Sequence, residues 1–188
     1  LCDLEWDTPV GKARSVGGDA MMRASAFGDA GGFDESLIAG EEPELCLRLR
    51  RAGWTIHRLD AEMTRHDAAI RSFRSWWRRM RRGGYGSLDV VTRLRSAHPD
   101  EDIPFAFMVR SARTWTVGWA AATASLSAVL ACAFGVPGAA AGLAAGAGLW
   151  GLQALRLAAS VRRRTDAGTA LAYGFLTLAG KWAQILGQ

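Results

Sequence analysis

Between Thr114 and Leu155 no side chain carries a charge. Those 42 residues would make ~63 Å of helix at ~1.5 Å per residue. One hydrocarbon crossing takes ~30 Å, so the run is too long for a single span and about right for two. Gly135-Val-Pro-Gly138 supplies the break, because proline cannot continue the backbone ladder and glycine frees the turn. The pattern predicts spans over 114–134 and 139–155. Arg110 and Arg113 precede the first, Arg156 and Arg162 to Arg164 follow the second, and the turn between them has no positive charge. The positive-inside rule then places both ends in the cytoplasm. Gly142 and Gly146 give the second span a small-xxx-small face, which either lets the two helices approach closely or merely dilutes the span.

The charges outside this run are unevenly placed. Residues 1–62 carry 7 basic and 12 acidic side chains, residues 63–113 carry 11 and 5, and residues 114–188 carry 5 and 1. The net +5 therefore hides an acidic head, a basic middle and an apolar tail. About 100 residues before the first span are few for an α/β enzyme domain, and the expectation is a missing upstream half. Cys2, Cys46 and Cys132 have neither metal spacing nor redox spacing, so reduced, buried thiols are expected.

Nine arginines and two acids fall between Arg65 and Arg95, with Ile70, Phe73, Trp77 and Met80 at near-helical intervals. Arginine with tryptophan beside a membrane reads as an interfacial helix on anionic lipid. Arginine also clamps phosphate. A nucleic-acid role is set aside because a bilayer anchor directly follows. In residues 167–188, Leu171, Phe175, Leu178, Trp182 and Ile185 share one face, and Tyr173, Thr177, Lys181, Gln184 and Gln188 the other. This predicts an amphipathic helix in the interface or packed on the protein, with a third crossing as the alternative.

The head holds the densest chemistry. Glu41, Glu42 and Glu44 open a short amphipathic helix behind the turn Gly31-Gly-Phe-Asp-Glu35. Pro43 is expected at the first helical position, Leu45, Leu49 and Ala52 as its buried stripe, and Gly53 as its stop. The acids either cap this helix, as its dipole favours, or one of them sits in a cleft and serves as a general base. Residues 13–19 read as a short strand ending at glycines, residues 21–27 as one or two helical turns, and Trp54 to Leu59 as a strand. His66 follows that strand. Taken by itself it is structural, or a metal or phosphate ligand.

The order Gly17-Gly-Asp-Ala-Met-Met-Arg23, Phe27, Gly31-Gly-Phe-Asp-Glu35, Gly40-Glu-Glu-Pro-Glu-Leu-Cys-Leu-Arg48, Gly53-Trp54 and His66 resembles the C-terminal half of family 2 glycosyltransferases, over roughly residues 6–86. The membrane segments resemble those of bacterial membrane-associated members. The resemblance implies an α/β fold, the C-terminal part of a GT-A (Rossmann-like) domain. It also implies a nucleotide-sugar donor, a divalent metal (Mg²⁺ or Mn²⁺) and single-displacement transfer with inversion.

The family's acidic pair, usually Glu-Asp, falls on Glu41-Glu42. Glu42 would be the base, with Glu41 or Glu44 as the alternative because Glu reaches a methylene further than Asp. Gly17, Gly18, Asp19 and Glu44 would border the acceptor and donor sugar. Arg78 and Arg79 would help hold the diphosphate, and His66 the metal. Ser75-Trp-Trp-Arg-Arg-Met-Arg-Arg82 lacks the glutamine of the processive Gln-x-x-Arg-Trp motif, which favours adding one sugar at a time. The Asp-x-Asp motif is expected upstream of Leu1, so these residues alone should be inactive.

The expected layout is therefore 1–69 catalytic, 70–113 interfacial and helical, 114–155 a transmembrane hairpin, and 156–188 a basic linker and amphipathic helix. The expected activity is inverting sugar transfer to a hydroxyl of a glycan or lipid-linked acceptor at the cytoplasmic face of a bacterial inner membrane. A non-catalytic membrane-anchored scaffold is the alternative.

Overall fold

Helix dominates the computed structural model, which describes residues 4–5, 8–61, 69–98 and 102–188. Strand β1 (Gly11–Ala13) pairs antiparallel with β2 (Ile56–Arg58), Lys12 opposite His57. Between them lie α1 (Ala24–Asp29) and the acidic helix α2 (Glu41–Arg51). After β2 come α3 (Phe73–Ala97), α4 (Ala106–Arg113), a π-helical turn (Thr114–Gly118), α5 (Trp119–Val161) and α6 (Ala167–Ile185). A two-stranded antiparallel sheet is the sheet of the described residues, and the parallel sheet of a Rossmann-like domain is not among them.

Local chemistry accounts for most boundaries. At the end of α2, Gly53 takes φ +86°, its N–H donates to the Arg50 carbonyl at 3.0 Å, and the Trp54 N–H donates to the Leu49 carbonyl at 3.0 Å. That is a Schellman stop at the predicted glycine. Pro43 is the third helical residue rather than the first, because the helix begins at Glu41. Its missing N–H still falls among the first four, which have no partner inside the helix. Helix α3 starts on a reciprocal cap: the Ser75 N–H donates to Ser72 Oγ and the Ser72 N–H to Ser75 Oγ, both 3.2 Å. Asp166 Oδ1 accepts from the Thr169 N–H at 3.0 Å and starts α6.

Three sequence expectations shift. The strand near residue 13 ends there instead of beginning there, and residues 14–20 run on without a strand partner. Helix α2 is buried on more than a stripe: Pro43 to Leu47 and Leu49 are all buried, whereas Ala52 is exposed. Two layers cause this. Leu45 and Leu49 pack with Ala26 of α1, and Leu47 packs with Val90, Val91, Leu94, Ile103 and Val109. Cys46 is buried as expected, but Cys132 is exposed on α5.

The apolar stretch forms a helical run over Ala106–Val161, long and apolar enough to cross a membrane. Its break lies at Gly135, whose φ 67° and ψ −149° are non-helical. Beyond it, a Cβ on Gly142 would lie 2.5 Å from Ser127 Cα, and one on Gly146 would overlap the Thr123 side chain. The segments on either side of Gly135 thus meet in antiparallel order through bare backbone.

Helix α6 packs on α5 and α3, but with a different face from the one predicted. Its buried side is Ala170, Gly174, Leu178 and Ala183, while Leu171 and Phe175 stay more than half exposed. Gly174 abuts the Ala154 carbonyl, Gly180 faces Trp76 and Met80, and Gly187 abuts the Arg81 carbonyl. Small residues let backbones approach that closely, and large apolar ones on the same helix are left facing outward.

Candidate active site

Three residues of α2 spaced four apart, Glu42, Cys46 and Arg50, share one face of the helix. Residues 14, 16 and 18 of the segment after β1 run past that face in the opposite direction. The Arg50 guanidinium donates to the Arg14 carbonyl, the Cys46 thiol meets the Val16 backbone, and Glu42 Oε1 lies 3.8 Å from where a Cβ on Gly18 would stand. This register brings the Glu42 carboxylate to the Gly17-Gly-Asp19 bend. Gly17 and Asp19 are exposed, and nothing lies within 4 Å of the Cβ position at Gly17. The bend is thus exposed beside a half-buried carboxylate.

The three acids of the first turn have different surroundings. Glu44 is buried and fully engaged: Arg48 Nε donates to Oε1 at 2.7 Å and Nη2 to Oε2 at 2.6 Å. Those bonds hold the Arg48 guanidinium more firmly protonated than usual. Arg48 also donates to the Gly32 carbonyl at 2.7 Å and to the Ala30 carbonyl. Glu44 therefore anchors the Gly31–Glu35 turn through Arg48. Glu41 has its Oε2 enclosed with no hydrogen-bond partner. Glu42 is half-buried and faces the bend. The sequence alone could not rank these three, since the ranking depends on which face each neighbour covers.

The turn behind α2 is further pinned to α3. Asp34 Oδ1 accepts from the Ser36 N–H at 2.9 Å and from Ser36 Oγ at 2.6 Å, which together hold its carboxyl below the usual carboxylate range. Arg93 of α3 donates to Ser36 Oγ at 2.6 Å. Its own charge is reinforced by Asp89, whose Oδ1 accepts from Nε at 2.8 Å. Arg48 closes the acidic-helix motif in the sequence, but its grip on the turn and the role of Arg93 do not follow from that motif. The i,i+4 pairing of Glu44 with Arg48 and Asp89 with Arg93 was the available signal. Burial pushes the Cys46 thiol up, which keeps it protonated and inert.

Arg78 and Arg79 lie on α3, eight and seven residues before Gly86. Gly86 is where α3 touches the acid loop: a Cβ there would sit 2.7 Å from Ala39 Cβ. At ~1.5 Å per residue the two arginines are ~10–12 Å further along the axis. His66 lies outside the described residues. Among those described, no three His, Cys, Asp or Glu side chains converge as a metal set would require. The enclosed Glu41 Oε2 is one free donor, which does not make a coordination shell. The described residues thus do not fit a divalent metal.

The model of the family described as "Glycosyl transferase family group 2" matches residues 8–176, from β1 through the apolar helix into α6. Two curated proteins named "Pre-mycofactocin glycosyltransferase", from Mycobacterium tuberculosis strains CDC 1551 / Oshkosh and ATCC 25618 / H37Rv, are each 32% identical over 95 residues. The aligned stretch is 50% of this chain but only 19% of the relatives' length. No solved structure matches the chain. With a match that takes in the acidic helix, its facing bend and the apolar run alike, the chain belongs to glycosyl transferase family group 2.

Proposed function

We propose that this chain forms the acceptor side of an inverting glycosyltransferase, with Glu42 as the general base. The observation that carries the reading is the approach of Glu42 Oε1 to the Gly18 backbone, at the edge of the open Gly17–Asp19 bend. An acceptor hydroxyl in that bend would give its proton to the Glu42 carboxylate. Its oxygen would form the new bond to the anomeric carbon from the face opposite the leaving group. The bond from that carbon to the nucleoside diphosphate would break, with its electron pair leaving on the diphosphate oxygen. Gly17, Gly18 and Asp19 would line the acceptor and donor-sugar pocket. Arg78 and Arg79 would offer charge to the diphosphate, and Glu41 is the alternative base. Glu44 would act through Arg48, fixing the turn on which the pocket rests.

The same reading places the chemistry at the cytoplasmic face of a bacterial inner membrane, with a glycan or lipid-linked acceptor. Support comes from the apolar run, its break at Gly135 and the glycine contacts across the break. Leu126, Val129, Phe134, Leu143 and Leu152 are all exposed there, as lipid-facing side chains would be. The two segments would be a transmembrane hairpin, with arginines at both cytoplasmic ends.

The test is Glu42→Gln in the full-length protein, with nucleotide-sugars screened for release of nucleoside diphosphate on addition of acceptor. A positioned base contributes ~10²–10⁴-fold, so turnover should fall by about that factor while donor binding persists. Turnover equal to wild type removes Glu42 from this role.

A further inference from the structure

A cleft of about 550 Å³ opens between α3 and α4. Its floor is apolar, formed by Leu88, Val91 and Val109, and its rim carries Arg95, Arg110 and Arg113. No acid lines it. Among the described residues Arg95 and Arg110 have no acidic partner, and Arg113 meets only the neutral amide of Gln188, Nε to Oε1 3.3 Å. Three like charges around one concavity repel each other unless an anion enters. Guanidinium forks suit phosphate oxygens in particular.

The cleft does not end at its rim. A hollow of about 500 Å³ shares Arg113 and Thr114 with it and continues along Val117, Gly118 and Ile185. Apart from the shared rim, its walls are apolar. The π-helical turn Thr114–Gly118 forms one side. One end of the groove is thus built for an anion, and the other for hydrocarbon. Their junction lies where the uncharged stretch begins, at Thr114.

We propose that this groove holds one acidic phospholipid of the surrounding membrane. Its phosphate sits among Arg95, Arg110 and Arg113, and an acyl chain lies along Val117 and Ile185. A zwitterionic lipid offers the same phosphate but also a cation, which the arginines repel. The inference rests on the membrane placement proposed above, and concerns a surface separate from the Glu42 bend.

The experiment places the full-length protein in nanodiscs of equal phosphatidylglycerol and phosphatidylcholine, and in discs of phosphatidylcholine alone. Native mass spectrometry then reads the lipid retained after ejection. The expected result is one retained phosphatidylglycerol in preference to phosphatidylcholine. A basic side chain near anionic lipid gives roughly a fivefold effect, so Arg95→Gln/Arg110→Gln should reduce the preference at least that much. The variant should still enter neutral discs. Equal retention of both lipids by the wild type overturns the inference and leaves the membrane placement standing. So does a preference that survives in the double variant. A wild-type protein that stays out of neutral discs overturns the membrane placement and the lipid site together.

Discussion

Around Glu42 the chain is held by polar side chains reaching for backbone, whereas along residues 119–161 it is held by the absence of side chains. In the head, Arg48 ties the Gly32 carbonyl to Glu44, Arg50 reaches the Arg14 carbonyl, and Arg93 reaches Ser36. In the apolar run, Gly142 and Gly146 bring one backbone against Ser127 and Thr123. The difference follows from what surrounds each region. The head is mostly turns, whose carbonyls need partners that a sheet would otherwise supply. In the run, a helix placed in a membrane as proposed would gain little by burying more hydrocarbon and would gain by close packing instead. The head is therefore sensitive to loss of a donor, and the run to gain of volume.

Arg48→Met should do the most damage to stability. It leaves Glu44, with a side chain only 10% exposed, as an unpaired carboxylate, and it frees two carbonyls of the turn. A cost of about 2–4 kcal/mol is expected, at or below the usual range for breaking a buried pair because Arg48 itself keeps 28% exposure. Denaturant midpoints of the purified protein read it directly. An unchanged midpoint would mean that the head does not depend on this donor.

Gly142→Leu should cost somewhat less, about 1–3 kcal/mol, by forcing apart backbones that a single methyl would already crowd. Its thermal midpoint in detergent should fall, while the Glu42-dependent activity per folded molecule persists. Combining it with Arg48→Met sharpens the contrast. Sites without shared partners add within ~0.5 kcal/mol, and a larger departure would show the two regions to be one unit.

The smallest effect is a pH dependence confined to the head. The Asp34 carboxyl is held low by Ser36, so its folded pKa lies below its unfolded one. The stability it contributes is complete above the unfolded carboxylate range and disappears as pH falls through the folded value. Ser36→Ala should abolish part of that acid sensitivity below about pH 4, where ordinary Asp titrates. It should leave stability under strongly acidic conditions nearly unchanged, a comparison made by acid titration of both proteins. Equal acid sensitivity in both would remove the Ser36 bonds as its cause.

Much of this could be read from residue order. The stop at Gly53, the acidic start of α2, the break near Gly135 and the close approach at Gly142 each follow from one or two residue types with a fixed backbone or volume demand. What could not be read depends on neighbours distant in sequence. The period of α6 pointed to its large residues as the packed face, yet Gly174 and Ala170 make the contact, since the run it leans on presents backbone. Glu44 could not be told from Glu42 by position, because the difference lies in Arg48 on one side and Gly18 on the other. The match of spacing two against spacing four that sets Gly18 beside Glu42 was visible in principle, had residues 14–18 been laid along the helix rather than into a sheet.

Gly40 stands just before the acids with φ +93°, and a Cβ there would lie 2.9 Å from both Val90 and Phe105. The first turn of α2 is thus seated directly on α3, with no slack link between. Any rocking of that long helix on its support would be handed to the carboxylates undamped, as a clock hand moves with its arbor. The seat of these carboxylates on α3 is then fixed by the missing side chain of a single residue.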